Sequence, residues 1–199
     1  MSVAVDLGNE TAHDSRPLIV GLGGTLSDSS SSERALRLAL AAAAGQGART
    51  KLFAARALDL PMYTVDRSER TSAAIALVEA LGQADGVIIA TPGYHGGISG
   101  LVKNALDYIE DLRDDARPYL DGRAVGCIVC AYGWQATTTT LVSLRSTVHA
   151  LRGWPTPLGV AINSAQTTFD DTGRVVDDQC ARQLTALSGQ VLDFVGARR

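Results

Sequence analysis

Three short stretches of this chain gather residues able to do chemistry. The first, GGTLSDSSSS (23–32), places Gly24, Thr25, Ser27, Ser29, Ser30, Ser31 and Ser32 directly ahead of an Ala- and Leu-rich run. Hydroxyl donors at a helix N-terminus join free backbone N–H groups and the positive end of the helix dipole, a setting that suits a phosphate monoester. No lysine stands in the loop, so GxxxxGK[ST] fails, and Leu26 occupies the third glycine position of a GxGxxG begun at Gly21. What remains is a cradle of hydroxyls and amides that fits a mononucleotide held once. The competing reading is a flexible Ser linker with an N-cap, and Asp28 opposes an anion unless it faces solvent.

The second stretch, TPGYHGG (91–97), combines Thr91, Pro92, Gly93 and Gly96 with the flat side chains of Tyr94 and His95. Glycine-rich backbone beside such rings accepts a planar, hydrogen-bonding ring: main-chain groups meet its polar edge and its π-face stays open. Tyr94 has two placements open to it, against a ligand or packed beneath the following helix. His95 has no second His or suitably placed Cys beside it, which argues against a metal. Ser99 reads as a helix N-cap, since neither a His nor an acid is placed to activate it. The third stretch, AYGWQATTTT (131–140), brings Gly133 and Trp134. Cys127 and Cys130 form a CxxC, but on a strand residues three apart point to opposite faces, so they read as small buried hydrophobes.

The elements that must carry these loops follow from periodicity. LIVGL (18–22), TKLFAA (50–55), GVIIAT (86–91), RAVGCIVCAY (123–132) and PLGVAIN (157–163) are short apolar runs that predict strands. Between and after them, 33–47, 68–84 (capped by Ser68), the segment following Ser99, 137–153 and 177–196 predict helices. Strict alternation predicts an α/β domain: a doubly wound parallel sheet of five strands with helices on both faces. Ligands then bind outside the carboxyl ends of the strands at the switch point, which selects loops 23–32, 91–98 and 131–137.

The run TPGYHGGISGLVKNALDYI after GVIIA resembles the signature of the NADPH-dependent FMN reductase family, S/T-P-E-Y-x-x-x-x-S-G-x-L-K-N-A-L-D-x-L. Thr91, Pro92, Tyr94, Ser99, Gly100, Lys103, Asn104, Ala105, Leu106 and Asp107 match it. The resemblance extends from Pro17 to the last helix, with LDLPMYTVD on the family's L-x-L-P-x-Y segment and Gly133 on a glycine of its S-x-G-x-x-G-G segment. It implies a flavodoxin-like sheet of order 2-1-3-4-5, bound FMN, NADPH or NADH as donor, and a homodimer or homotetramer. It implies a phosphate site at Gly24, Thr25, Ser27, Ser30 and Ser32, and a flavin-ring site at Thr91, Pro92, Gly93, Tyr94, His95, Gly96, Gly133 and Trp134. Trp134 either stacks near the flavin or plugs the domain edge. Ser27 replaces the arginine often found on the phosphate, Gly93 the usual Glu, Ala131 a hydroxyl residue, and Ala136-Thr137 a glycine pair. Loss of the arginine suits a protein that passes reduced flavin on, for instance to a flavin-dependent monooxygenase.

Bulk properties agree. A chain of 199 residues is long enough for one domain, read as 17–199 behind a polar tail at 1–16. A net charge of −3 without any basic stripe gives no footprint for nucleic acid or membrane. Three cysteines make no disulfide framework, and the N-terminus has no signal-peptide pattern, so a cytoplasmic setting is expected. The resemblance implies hydride transfer carried by the cofactors, which fits a sequence with no evident triad, metal cluster or paired carboxylates. The alternatives are an NAD(P)H:quinone or azo reductase, a flavodoxin-type electron carrier, and a ligand-binding module without turnover.

Overall fold

The computed structural model describes residues 14–27, 30–166, 169–170 and 172–198. Residues 1–13 of the expected tail lie outside the described residues, as do Asp28 and Ser29 of the first loop. Among the described residues, seven strands and five α-helices follow in the order β1 (Leu18–Gly23), α1 (Ser31–Gly45), β2 (Arg49–Phe53), α2 (Ser72–Gln83), β3 (Gly86–Tyr94), β4 (Gly97–Ile98), α3 (Gly100–Asp107), β5 (Ala124–Ala131), α4 (Trp134–Ala150), β6 (Trp154–Pro155), β7 (Val160–Asn163) and α5 (Asp178–Arg198). The strands β2, β1, β3 and β5 lie side by side, all parallel, and β5 then pairs with β6 near its start and β7 near its end. Counted over the five long strands, the order is the expected 2-1-3-4-5.

Two apolar layers cover the sheet. Leu77, Leu81, Leu106, Ile109 and Leu144 pack on one face, and Leu36, Leu40, Leu184, Leu187 and Val191 on the other. Strands buried on both sides explain the unbroken apolar runs in the sequence. Cys127 belongs to the first layer and Cys130 to the second, so the CxxC thiols are separated by the sheet itself. Burial pushes the Cys127 thiol up to about 12 and raises that of Cys130 as well. Among the described residues no helix is long and apolar enough to cross a membrane.

Three local expectations change, one of them the start of α4, at Trp134 and not at 137. The helix expected over 68–84 begins at Ser72, capped by Thr71, whose hydroxyl accepts from the Ala74 N–H. Ser68 instead donates its backbone N–H to Asp66 Oδ1 at 2.9 Å. The cause is tertiary. Arg70 forms a two-point ion pair with Asp111 (2.7 and 3.0 Å), donates to the Thr64 and Asp66 carbonyls, and lies over the rings of Tyr63 and Tyr108 at 4.9 and 5.0 Å. Those bonds hold 64–70 as a loop. Asn104 and Tyr108 clamp the same loop, through Tyr63 N and the Leu60 and Pro61 carbonyls. The third change concerns β3, which runs three residues past 91 to Tyr94 and turns back into β4.

Candidate functional site

The site begins at the turn between β3 and β4. His95 and Gly96 carry φ of 53 and 83°, both positive, as a two-residue type I′ hairpin requires. Glycine adopts that conformation freely and histidine tolerates it. The glycine-rich loop read from the sequence is therefore a tight hairpin with His95 and Gly96 exposed at its tip. Thr91 closes its base: fully buried, it accepts from the Ser99 N–H at 3.0 Å and donates to the Pro92 carbonyl at 2.9 Å. Ser99 caps α3 as expected, accepting from the Val102 N–H. Gly93 sits where a Cβ would come within 2.7 Å of Thr140 Oγ1 and 2.9 Å of Ala131 Cβ, which explains why the usual Glu is absent.

The facing wall comes from the end of β5. Gly133 has φ of 108° and open space where a Cβ would stand, so its backbone is bare toward the cavity. Its N–H donates to Asn163 Oδ1 at 3.0 Å, and the same oxygen accepts from the Ala165 N–H at 3.0 Å. Asn163, buried at the end of β7, thus pins the third loop. Thr140 ties α4 to the hairpin by donating to the Gly97 carbonyl at 3.4 Å. Sequence reading missed both residues; a polar residue ending the apolar run GVAIN was the available signal for Asn163.

Between these walls lies an open cavity of ≈ 670 Å³ lined by His95, Gly96, Tyr132, Gly133, Trp134 and Thr139, among others. That size is within the range of small-molecule sites, ~300–1,000 Å³. It brings together His95, Gly96, Gly133 and Trp134 of the expected set. Tyr94 is 55% exposed and does not pack beneath α3. Trp134, the first residue of α4, is 54% exposed.

The first loop is folded onto itself. Gly24 N–H pairs with the Ala90 carbonyl at 3.1 Å, and Ser27 N–H donates to Thr25 Oγ1 at 3.0 Å. Ser30 and Ser32 are buried with their hydroxyls 2.9 Å apart, and Ser30 Oγ accepts from the Glu33 N–H. Glu33 pairs through Oε1 with Arg37 at 2.7 Å, while its Oε2 is buried without a hydrogen-bond partner. Thr25 and Ser27 keep solvent access at the carboxyl end of β1.

A parallel sheet of this order, with a ring-sized cavity beyond its strand ends, defines a flavodoxin-like α/β protein. An NAD(P)H:acceptor oxidoreductase of Paracoccus denitrificans superposes with a TM-score of 0.73 at 18% identity, covering 91% of this chain and 98% of that one. The model of the NADPH-dependent FMN reductase family matches residues 17–167, and the chain belongs to that family. An NAD(P)H-dependent FMN reductase of Pseudomonas aeruginosa is 32% identical over 117 residues, 58% of this chain and 61% of that protein. An FMN-dependent NADPH-azoreductase of Staphylococcus haemolyticus is 32% identical over 114 residues, 56% of this chain and 57% of that protein. The matched region thus spans about three-fifths of these relatives' length.

Proposed function

We propose that the chain is an NAD(P)H-dependent FMN reductase that binds the flavin ring in the cavity between the β3–β4 hairpin and the loop after β5. The observation that carries this reading is the bare, positive-φ backbone at Gly96 and Gly133 on facing walls, in a chain of the FMN reductase family. The residues present fit a planar ring. Main-chain groups at the hairpin meet its edge, the missing side chain at Gly133 leaves room for the ring, and His95, Tyr132 and Trp134 border its face. Thr25, Ser27, Ser30, Ser32 and the N-terminus of α1 serve its phosphate, with Ser30 and Ser32 exchanging their mutual bond for the ligand. Gly24 lets the loop turn there, at φ of 99°. Bound FMN supplies a hydride acceptor, and the nicotinamide supplies the hydride.

The chain's own contribution is positioning. Thr91 and Thr140 fix the hairpin, Asn163 fixes Gly133, and the open cavity admits a second ring against the first. With no cation among its own side chains, the phosphate loop holds FMN weakly enough to release it reduced, to a monooxygenase for example. A homodimer or homotetramer and a cytoplasmic setting complete the proposal.

The azoreductase relative, as similar as the FMN reductase, favours a second reading in which FMN stays bound and an azo dye or quinone is the acceptor. Steady-state NAD(P)H oxidation separates the two when free FMN is titrated and a quinone or azo dye is tried in turn. Saturable dependence on free FMN, with reduced flavin in solution, supports the first reading. Turnover that needs only bound flavin plus quinone or dye supports the second, and no oxidation with any acceptor rejects both.

A further inference from the structure

Trp134 also lines a second cavity of ≈ 440 Å³, between the end of β7 and the start of α5, with Ile162, Gln166, Asp177, Gln179 and Gln183. One indole thus borders both the flavin cavity and this neighbour. The side-chain amides of Gln166, Gln179 and Gln183 have no hydrogen-bond partner among the described residues, so three donor–acceptor pairs are free within one concavity. Asp177 caps α5 through Oδ1, which accepts from the Gln179 N–H at 2.8 Å and the Cys180 N–H at 3.4 Å. Its second oxygen is free to accept from a ligand hydroxyl. Among the described residues lining this cavity none is basic.

We propose that this second cavity holds the adenosine end of the nicotinamide dinucleotide whose reacting ring enters the flavin cavity, and that it selects NADH over NADPH. The proposal rests on the reductase reading above. A carboxamide presents one donor and one acceptor side by side, the complement of the N6–H and N7 edge of adenine. The half-exposed indole offers that base a face to stack on. A carboxylate accepts a hydrogen bond from a ribose 2′-hydroxyl and repels a 2′-phosphate, the discrimination acidic residues provide in other dinucleotide sites. Adjacency through Trp134 lets one extended molecule reach both cavities.

The test is binding of ADP-ribose to the full chain carrying Trp154→Phe, followed by the fluorescence of Trp134. Trp154 lies on β6 against Phe194, so its replacement leaves both cavities intact. Saturable quenching is expected, weakened at least tenfold by Gln183→Leu. The 2′-phosphorylated analogue should bind at least tenfold more weakly, and Asp177→Asn, which keeps the helix cap, should narrow that gap. Equal ADP-ribose affinity in a folded Gln183→Leu protein, or no binding to the parent, overturns the adenosine site. An unchanged preference in Asp177→Asn overturns the selectivity. Reduced nicotinamide mononucleotide, which lacks adenosine, keeps the two proposals apart. Its turnover should survive Gln183→Leu unchanged, whereas no turnover with any reduced nicotinamide sinks the reductase and leaves the binding result standing.

Discussion

Replacing Asn163 by alanine tests whether the third loop is held as described. The side chain is 3% exposed, and its Oδ1 is the shared acceptor for the N–H groups of Gly133 and Ala165, both at 3.0 Å. Each neutral hydrogen bond contributes ~0.5–1.5 kcal/mol net, so removing both costs about 2 kcal/mol, with water reaching part of the half-buried amides. In a chain of this length that lowers Tm by roughly 4–8 °C. Function suffers too, because Gly133 holds a φ of 108° beside the ring cavity and carries Trp134 next to it. Freed from its anchor, that wall samples other positions, and FMN affinity should fall at least fivefold. Urea denaturation with the m-value compared, and fluorescence titration of FMN, measure the two effects. A stability change below about 0.5 kcal/mol together with unchanged FMN affinity refutes the anchoring role, since buried neutral bonds are seldom worth so little.

Ser30→Asp isolates the electrostatics of the first loop. Aspartate caps a helix as well as serine does, so α1 keeps its cap, but the new carboxylate is buried beside Ser32 and three residues before Glu33, and urea stability should fall by about 1–3 kcal/mol in a chain that still folds. FMN affinity should drop at least tenfold by like-charge repulsion, and unchanged affinity in a folded protein removes the phosphate loop. Alkaline stability reports the buried thiols. Burial raises Cys127 from 9.0 to about 12, so between those values the unfolded chain has lost a proton that the fold retains. Stability therefore declines as pH rises through that window, and the contribution is fully present below it. The urea midpoint should fall as pH rises above about 9, with a smaller slope in Cys127→Ala. An identical slope in both proteins would show that another group is responsible.

Much of the framework was legible because it depends on local pattern. Five apolar runs with turn signals between them specify buried parallel strands, and the order of motifs along them points to the carboxyl ends of the sheet. Ser99 as a cap and Cys127 and Cys130 on opposite faces follow from helix and strand periodicity alone. The start of α2 was not legible. Thr71 and Ser68 are both good caps, and the choice between them is made by Arg70 reaching Asp111, 41 residues away.

The composition of this chain determined, without help from its fold, that a hydroxyl-rich loop and a glycine-rich loop would each follow a buried strand. Tertiary structure alone decided what those loops are. Two consecutive positive φ angles turn 93–98 into a hairpin, because β3 continues past 91 and pairs with its own return strand. Asn163 comes to Gly133 from 30 residues away, and Gln183 comes to Trp134 from a different helix. Sequence spacing encodes periodicity within an element. Which side chains meet across elements is set by the packing of the sheet and its helices, and both cavities arise there.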